Sequence, residues 1–364
     1  MTHPQPLFPP LAALDDGGPV PRDLSEALAK AAAGEERGDR PIAGSIDLLR
    51  AADLLEDDGA SDPARTARAL MQVGAANLAV GRLYEGHINA LHLIRLYGTE
   101  AQQQAVARRI SNDAVLGVWG ADGGTPVQGA GTQLSGSKCF ASGLGTVTHA
   151  LITVNSGPQV HLALVDVTDP GRADAATWAM RGMKATASGS YDFTDMPAGS
   201  FDWIGAPGDY TTEPHFVGGV WRIAALQVGA VIGLIDRAAA DLRALDRMQA
   251  EAQKARLMSV LMRAWAGVTL TDRAAQATLD RHLPAEDIVA TSITARLITE
   301  EVGLDAIRAV EQSIGLRHFE TRSETGRIAR DLSVYLRQAA RDAFLQRAAE
   351  RALGASGKAW GVFA

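Results

Sequence analysis

The chain has 364 residues, 46% of them hydrophobic and 21% charged, enough for a large core and for two or three domains of a globular protein. A formal net charge of −7 supplies no basic footprint, which argues against nucleic acid or an anionic membrane surface as the main partner. A single cysteine, Cys139, excludes an intrachain disulfide framework and fits a reducing compartment.

The first residues, MTHPQPLFPPLAALDD, are broken by proline and lack the basic region and long apolar core of a secretory signal. An irregular start and a cytoplasmic protein are expected. No run of 18 or more uncharged apolar residues appears, so no transmembrane span is expected. From Asp23, Leu24, Leu28 and Ala31 to Ala33 follow helical spacing and stop at Gly34. Ser45 to Leu55 repeats apolar positions three and four apart and ends in the turn Asp57 to Pro63, which starts a new helix. Ala64 to Tyr97 is long enough for one or two helices, with Gly74, Gly81 and Gly86 suited to close helix packing. Ala101 to Arg109 predicts a short helix before the pattern changes. His87 and His92 are five apart, off the i, i+4 spacing of a helical metal pair, and no metal site is read; a packed or surface histidine is the simpler account of His87.

The stretch from Val115 to Gly143, VLGVWGADGGTPVQGAGTQLSGSKCFASG, separates this helical third from a β-patterned middle. Glycines at 120, 123, 124, 136 and 143 allow close backbone approach, and with Trp119 and Phe140 they suggest a flat aromatic ligand laid against strand ends. A β-meander whose turns need glycine accounts for the same pattern more simply. Ala150 to Val154, Val160 to Val165 and Ser190 to Phe193 read as further short strands of a sandwich or barrel. Four long helical segments then follow, Val220 to Arg243, Ala255 to Ala277, Ala285 to Gln312 and Ile328 to Leu353, which predict an antiparallel bundle. The fold class is α+β, with a helical domain at 1–113, a β domain at 114–214 and a helical bundle at 215–364.

Three stretches carry a family resemblance. Leu134-Ser-Gly-Ser-Lys-Cys-Phe-Ala-Ser-Gly143, Arg181-Gly-Met-Lys-Ala-Thr-Ala-Ser-Gly189 with Tyr191 to Pro197, and Gln312-x-x-Gly315 followed by Arg330-Asp331 resemble, in order, landmarks of the acyl-CoA dehydrogenase family. The resemblance implies FAD as cofactor. It places Phe140 on the flavin ring and Ser142 at its reactive edge, both on one strand face, with Cys139 and Ala141 on the other. Trp119 and Gly120 fall beside that site. Gln312 and Gly315 match residues that meet the pyrophosphate, in the family usually across a subunit boundary, which implies a homodimer or homotetramer joined through the bundle.

Departures from the pattern bear on the reaction. The family's Thr-Glu-Pro-x-x-Gly-Ser-Asp is here Gly120-Ala-Asp-Gly-Gly-Thr-Pro126, so a flavin hydroxyl contact falls on glycine. No Arg-x-x-Phe-Gly motif is recognisable, Arg243 and Arg247 being loose substitutes, and Leu316 replaces the second glycine after Gln312. The two family positions for the glutamate base hold Ala339 and Trp221. Neither can take a proton, so no catalytic residue is assigned. Glu300, Glu301 and Glu311 are the nearby carboxylates that a relocated base could use.

Three readings follow. The resemblance implies an FAD-dependent oxidoreductase on an acyl-CoA or related small molecule, with an altered base. A flavin monooxygenase of the same fold needs no such base. A helical scaffold or ligand-binding protein without flavin is the third.

Overall fold

The computed structural model describes residues 18–130, 133–337 and 339–363; the expected irregular start at 1–17 lies outside them. Among the described residues five helices precede the first strand: α1 (Arg22–Arg37), α2 (Ala43–Ala51), α3 (Pro63–Ala76), α4 (Leu78–Tyr97) and α5 (Glu100–Ser111). Their starts are written locally. Asp62 caps α3 by accepting the Arg65 amide at 2.9 Å, with Pro63 at the first helical position. Thr99 and Gln102 form a reciprocal capping box on α5. The long pattern from Ala64 to Tyr97 resolves into two helices that meet at an extended Asn77.

Ten strands follow, β1 (Leu116–Trp119), β2 (Gln128–Ala130), β3 (Gln133–Ser135), β4 (Ser137–Ala141), β5 (His149–Ser156), β6 (Gln159–Asp166), β7 (Ala173–Asp174), β8 (Gly189–Asp192), β9 (Met196–Pro197) and β10 (Phe201–Ile204). One sheet runs β10-β6-β5-β2-β3-β9, with β1 paired parallel to β5, and a second runs β4-β8-β7. Leu134 to Gly143, expected as one strand, divides between the two sheets at Gly136, whose φ of +123° only glycine takes up readily.

The last third holds α6 (Trp221–Ala244), α7 (Glu251–Ala277), α8 (Ala285–Ile314), α9 (Glu324–Tyr335) and α10 (Arg341–Leu353). The fourth expected helix, Ile328 to Leu353, is therefore two. The break comes at Ala340, held at φ +61°, and Arg341 directly after it reaches Glu300 and Glu301 on α8.

By contacts the chain falls into two units. The helical unit takes in the chain up to Gly34, Asp62–Gly81 and Val217–Ala364; the β-rich unit takes in Glu35–Ser61 and Arg82–Phe216. In the helical unit α6, α7 and α8 pack on one another, and α3 joins them against α6. That contact is backbone-close: a methyl group on Gly229 would sit 2.1 Å from the Met71 carbonyl, and one on Gly74 would sit 3.0 Å from that of Leu226. Val217–Ala244 is long enough to span a membrane and contains an 18-residue window of mean hydropathy 1.6, contrary to the sequence expectation, but 72% of that window is buried inside the protein. In the β-rich unit Leu93, Ile94, Val106 and Ile110 from α4 and α5 pack on Leu116, Leu151, Leu162, Leu164 and Ile204 of the larger sheet.

Candidate functional site

The geometry around Phe140 starts from an interruption in β4. Lys138 pairs with Tyr191 and Ala141 with Gly189, so three steps on β4 meet two on β8 and the strand bulges. Phe140 sits within the bulge at φ +53°, a region side-chain-bearing residues seldom occupy. Lys138 and Ala141 are buried, and the Phe140 ring is turned outward, 55% exposed, with the edge of Trp178 against it at 6.1 Å and 86°. The simple alternation expected for residues 139 to 142 is thus replaced by a bulge that aims Phe140 to solvent, with Ser142 half-buried beyond it.

Trp119 meets this place through its polar edge. It is buried at the end of β1, its indole N–H donates to the Ser142 carbonyl at 3.0 Å, and its ring leans on Tyr191 at 5.5 Å. Gly120, next in the chain, is exposed, and its carbonyl accepts from the Thr153 hydroxyl at 2.9 Å and from Lys138 Nζ at 3.5 Å. Lys138 is wholly buried. Its ammonium also donates to Asp122 Oδ1 at 2.5 Å and Thr153 Oγ1 at 2.7 Å; burial draws its pKa down while the Asp122 carboxylate works against that. Trp119, Gly120, Phe140 and Ser142 are therefore brought together in the β-rich unit, with Lys138 fixing the loop that carries Gly120.

A second loop closes on Ser142. Gly143 and Leu144 donate their amides to the carbonyls of Thr186 and Ala187 at 2.8 and 3.0 Å. This sets Ser188 Oγ to donate to Ser142 Oγ at 3.0 Å, with Thr186 Oγ1 2.7 Å from Ser188 Oγ. Met183 and Ala187, at the two ends of the turn, are also left-handed, at φ +56° and +45°. Sequence reading singled out Arg181 to Gly189 as a stretch without assigning Thr186 or Ser188 a role, because their tie to Ser142 spans more than 40 residues.

His87 has a structural post in the same unit. Its Nδ1 accepts the Leu116 amide at 2.9 Å, so Nε2 carries the proton and donates to the Leu55 carbonyl at 2.7 Å. Burial pulls its pKa down to about 4. A cleft of about 500 Å³ lies along the larger sheet; within it Arg109 pairs with Asp202 and Arg172 with Asp169, and Asp166 accepts from the Thr168 amide and hydroxyl.

Arg243, Gln312 and Gly315 belong to the helical unit. Arg243 is exposed in the last turn of α6. Gln312 is exposed in the last turn of α8, and Gly315 ends that helix at φ +70° with open space where a side chain would be. Leu316 follows, 87% exposed. Trp221 is buried at the start of α6 and Ala339 is exposed. Of the three nearby carboxylates, Glu300 is buried between Arg341 at 3.3 Å and Arg296 at 3.6 Å, and Glu301 is held by Arg341 at 3.0 Å. Glu311 is half-buried in the last turns of α8.

The chemistry offered at Phe140 is that of a flat heteroaromatic ring. An outward apolar face covers such a ring, neutral hydroxyls address its edge, and Gly120 leaves backbone free to approach. These residues fit a flavin's ring system.

No family model matches the sequence, and no curated protein sequence matches it. Solved structures do. TdsC from Paenibacillus sp. A11-2, a dibenzothiophene monooxygenase solved with FMN bound, superposes with a TM-score of 0.78 at 14% identity, over 91% of this chain and 96% of that one. KijD3, solved with FMN and dTDP-3-amino-2,3,6-trideoxy-4-keto-3-methyl-D-glucose, matches with a TM-score of 0.75 at 19% identity over 96% and 95%. Butyryl-CoA dehydrogenase from Megasphaera elsdenii matches with a TM-score of 0.75 at 12% identity over 91% and 96%. These matches along nearly the whole chain show that it has the acyl-CoA dehydrogenase fold.

Proposed function

We propose that the protein is a flavin-dependent oxidoreductase that acts as a monooxygenase on a small molecule bearing a nitrogen or sulfur centre. The observation that carries this reading is the lack of a carboxylate at the two positions where the resemblance puts the base. Ala339 and Trp221 stand where a dehydrogenase of this fold has its glutamate, and Glu300 is engaged by two arginines. Abstracting an α-proton needs a positioned carboxylate whose desolvation lifts its pKa toward neutrality. When bound, reduced flavin supplies electrons for activating dioxygen, a chemistry in which no such carboxylate is required. Phe140 then shields the ring face, Ser142 meets its edge, and Trp119 keeps the Ser142 backbone in place.

FMN fits the chain better than FAD in this reading. The phosphate-gripping Arg-x-x-Phe-Gly is missing, leaving Arg243 as a loose substitute, and Leu316 occupies a position where backbone is expected to approach a pyrophosphate. The neighbours TdsC and KijD3 hold FMN. Gln312 and Gly315 are proposed to contact cofactor phosphate within a homodimer or homotetramer; exposed Met262, Leu316 and Phe319 on the helical unit support association there. The domain limits 1–113, 114–214 and 215–364 and a cytoplasmic location remain part of the proposal.

The test begins with titration of the purified protein by FMN and FAD, followed by fluorescence quenching, with tighter FMN binding expected. Loaded protein is then mixed anaerobically with saturated acyl-CoAs, and separately reduced and exposed to ¹⁸O₂ with a panel of amines and aromatic sulfur or nitrogen heterocycles. Labelled product without acyl-CoA bleaching is the expected result. Rapid bleaching by an acyl-CoA restores the FAD-type dehydrogenase reading, and failure to bind either flavin leaves the flavin-free scaffold.

A further inference from the structure

We infer that Thr186, Ser188 and Ser142 form a directed hydroxyl chain that makes Ser142 a hydrogen-bond donor to the ligand edge at this site, and so favours the oxidised over the reduced flavin; this rests on the flavin reading above. Thr186 and Ser188 are buried at 1% and 2% exposure, whereas Ser142 is half-buried and lies two residues beyond the outward Phe140 ring. Ser188 Oγ donates to Ser142 Oγ at 3.0 Å, which commits the one proton of Ser188. The 2.7 Å contact between Thr186 Oγ1 and Ser188 Oγ must then be a bond from Thr186 to Ser188. Thr186 Oγ1 shares that proton with the Met183 carbonyl at 2.6 Å, a carbonyl that also receives the Thr186 amide at 3.2 Å. With Ser188 occupying a lone pair, the Ser142 proton has one partner among the described residues, the Phe140 carbonyl at 3.5 Å, the far limit of a hydrogen bond. It is therefore readily retargeted to a ligand acceptor, and its strength as a donor is raised by the two hydroxyls behind it.

The consequence is a preference between two states of one ring. An oxidised flavin presents an unprotonated ring nitrogen at its reactive edge, and reduction places a hydrogen there. The Ser142 proton is free to meet the first, whereas against the second the hydroxyl has only the lone pair that Ser188 leaves it, a weaker match. Thr186 and Ser188 touch no ligand in this arrangement; they are positioning residues, and the turn that carries them is held by left-handed Met183 and Ala187 against the Gly143–Leu144 amides.

The experiment measures affinity rather than turnover. Flavin dissociation constants are determined for oxidised and reduced FMN with the intact protein, Ser188→Ala, Thr186→Val and Thr186→Ser, together with the midpoint potential of the bound flavin. Ser188→Ala is expected to weaken oxidised-flavin binding about 5- to 10-fold and reduced-flavin binding less than about 2-fold. By linkage the midpoint potential rises by up to about 30 mV, the two-electron equivalent of a tenfold ratio. Thr186→Val should move in the same direction by a smaller factor, and Thr186→Ser, which keeps the hydroxyl, should restore the starting values. Equal effects of Ser188→Ala on both oxidation states, with the thermal transition unchanged, overturn the chain. Binding of neither oxidised nor reduced flavin by the unmutated protein removes the flavin reading itself and this inference with it.

Discussion

Two buried cations, one in each unit, are treated in opposite ways. Lys138 in the β-rich unit is fully buried and has three acceptors, the Asp122 carboxylate, the Thr153 hydroxyl and the Gly120 carbonyl. Arg296 in the helical unit is equally buried, yet its guanidinium makes no hydrogen bond among the described residues. Its company is the Glu300 carboxylate at 3.6 Å and the face of Phe344 at 5.3 Å. Burial and the neighbouring Arg341 charge draw the Arg296 pKa down, with only Glu300 opposing them. A buried charge stabilises when its donors are used and is close to a liability when they are not. The difference separates a cation that builds a loop for the site from one that is tolerated inside a bundle.

The largest effect should come from Lys138→Met. It leaves the Gly120 carbonyl and Asp122 without their shared donor, and about 3 to 4 kcal/mol of unfolding free energy should be lost in a denaturant titration. Flavin affinity should fall with it, since the loop carrying Gly120 loses its anchor. A variant as stable as the parent would erase the distinction between the two cations. The comparison sharpens at His87, a third buried titratable group, which like Lys138 has both polar atoms engaged. With its folded pKa pulled from 6.5 to about 4, the native state resists a proton that the unfolded chain accepts. Its contribution is intact above about pH 6.5 and is lost as the pH falls toward 4. Each pH unit is worth 1.36 kcal/mol, so the loss approaches about 3 kcal/mol. His87→Gln should flatten stability between those limits; curves that stay parallel to the parent's defeat the assignment. The smallest change is expected of Arg296→Met. Glu300 keeps Arg341 at 3.3 Å, and a long apolar side chain fills the vacated space, so stability should stay within about 1 kcal/mol of the parent or rise. A loss of several kcal/mol in the same titration would place Arg296 in the class of Lys138.

Much of the helical architecture is legible in the sequence because its signals are local. Asp62-Pro63 starts α3, Thr99 with Gln102 starts α5, and apolar spacing marks α6 to α8. The misread places are those where a residue does what its type seldom does. Ala340 turns left-handed and divides a helix that no glycine or proline interrupts, and Phe140 turns left-handed and breaks the alternation of β4. Trp119 and Phe140 are both visible as aromatics near glycine, yet one is buried and the other exposed, because a bulge has no composition signature. The hydroxyl chain is invisible for a further reason: Thr186 and Ser188 are unremarkable in their own stretch and become meaningful only once backbone bonds lay that turn against residues 143 and 144.

The glycine seam between α3 and α6 bears on how the chain is made as well as on how it packs. Met71 and Ala75 rest their carbonyls on the Gly229 and Gly233 positions, some 158 residues later in the chain. Contacts of such sequence separation slow folding, since the intervening segment has to be brought back before they count. During synthesis from the N-terminus, α3 emerges with its apolar side uncovered and waits for residues 82–216 of the β-rich unit and the start of α6 to follow. The helical unit thus closes around a helix made well over a hundred residues before its partner, and the first helix of its last stretch secures it.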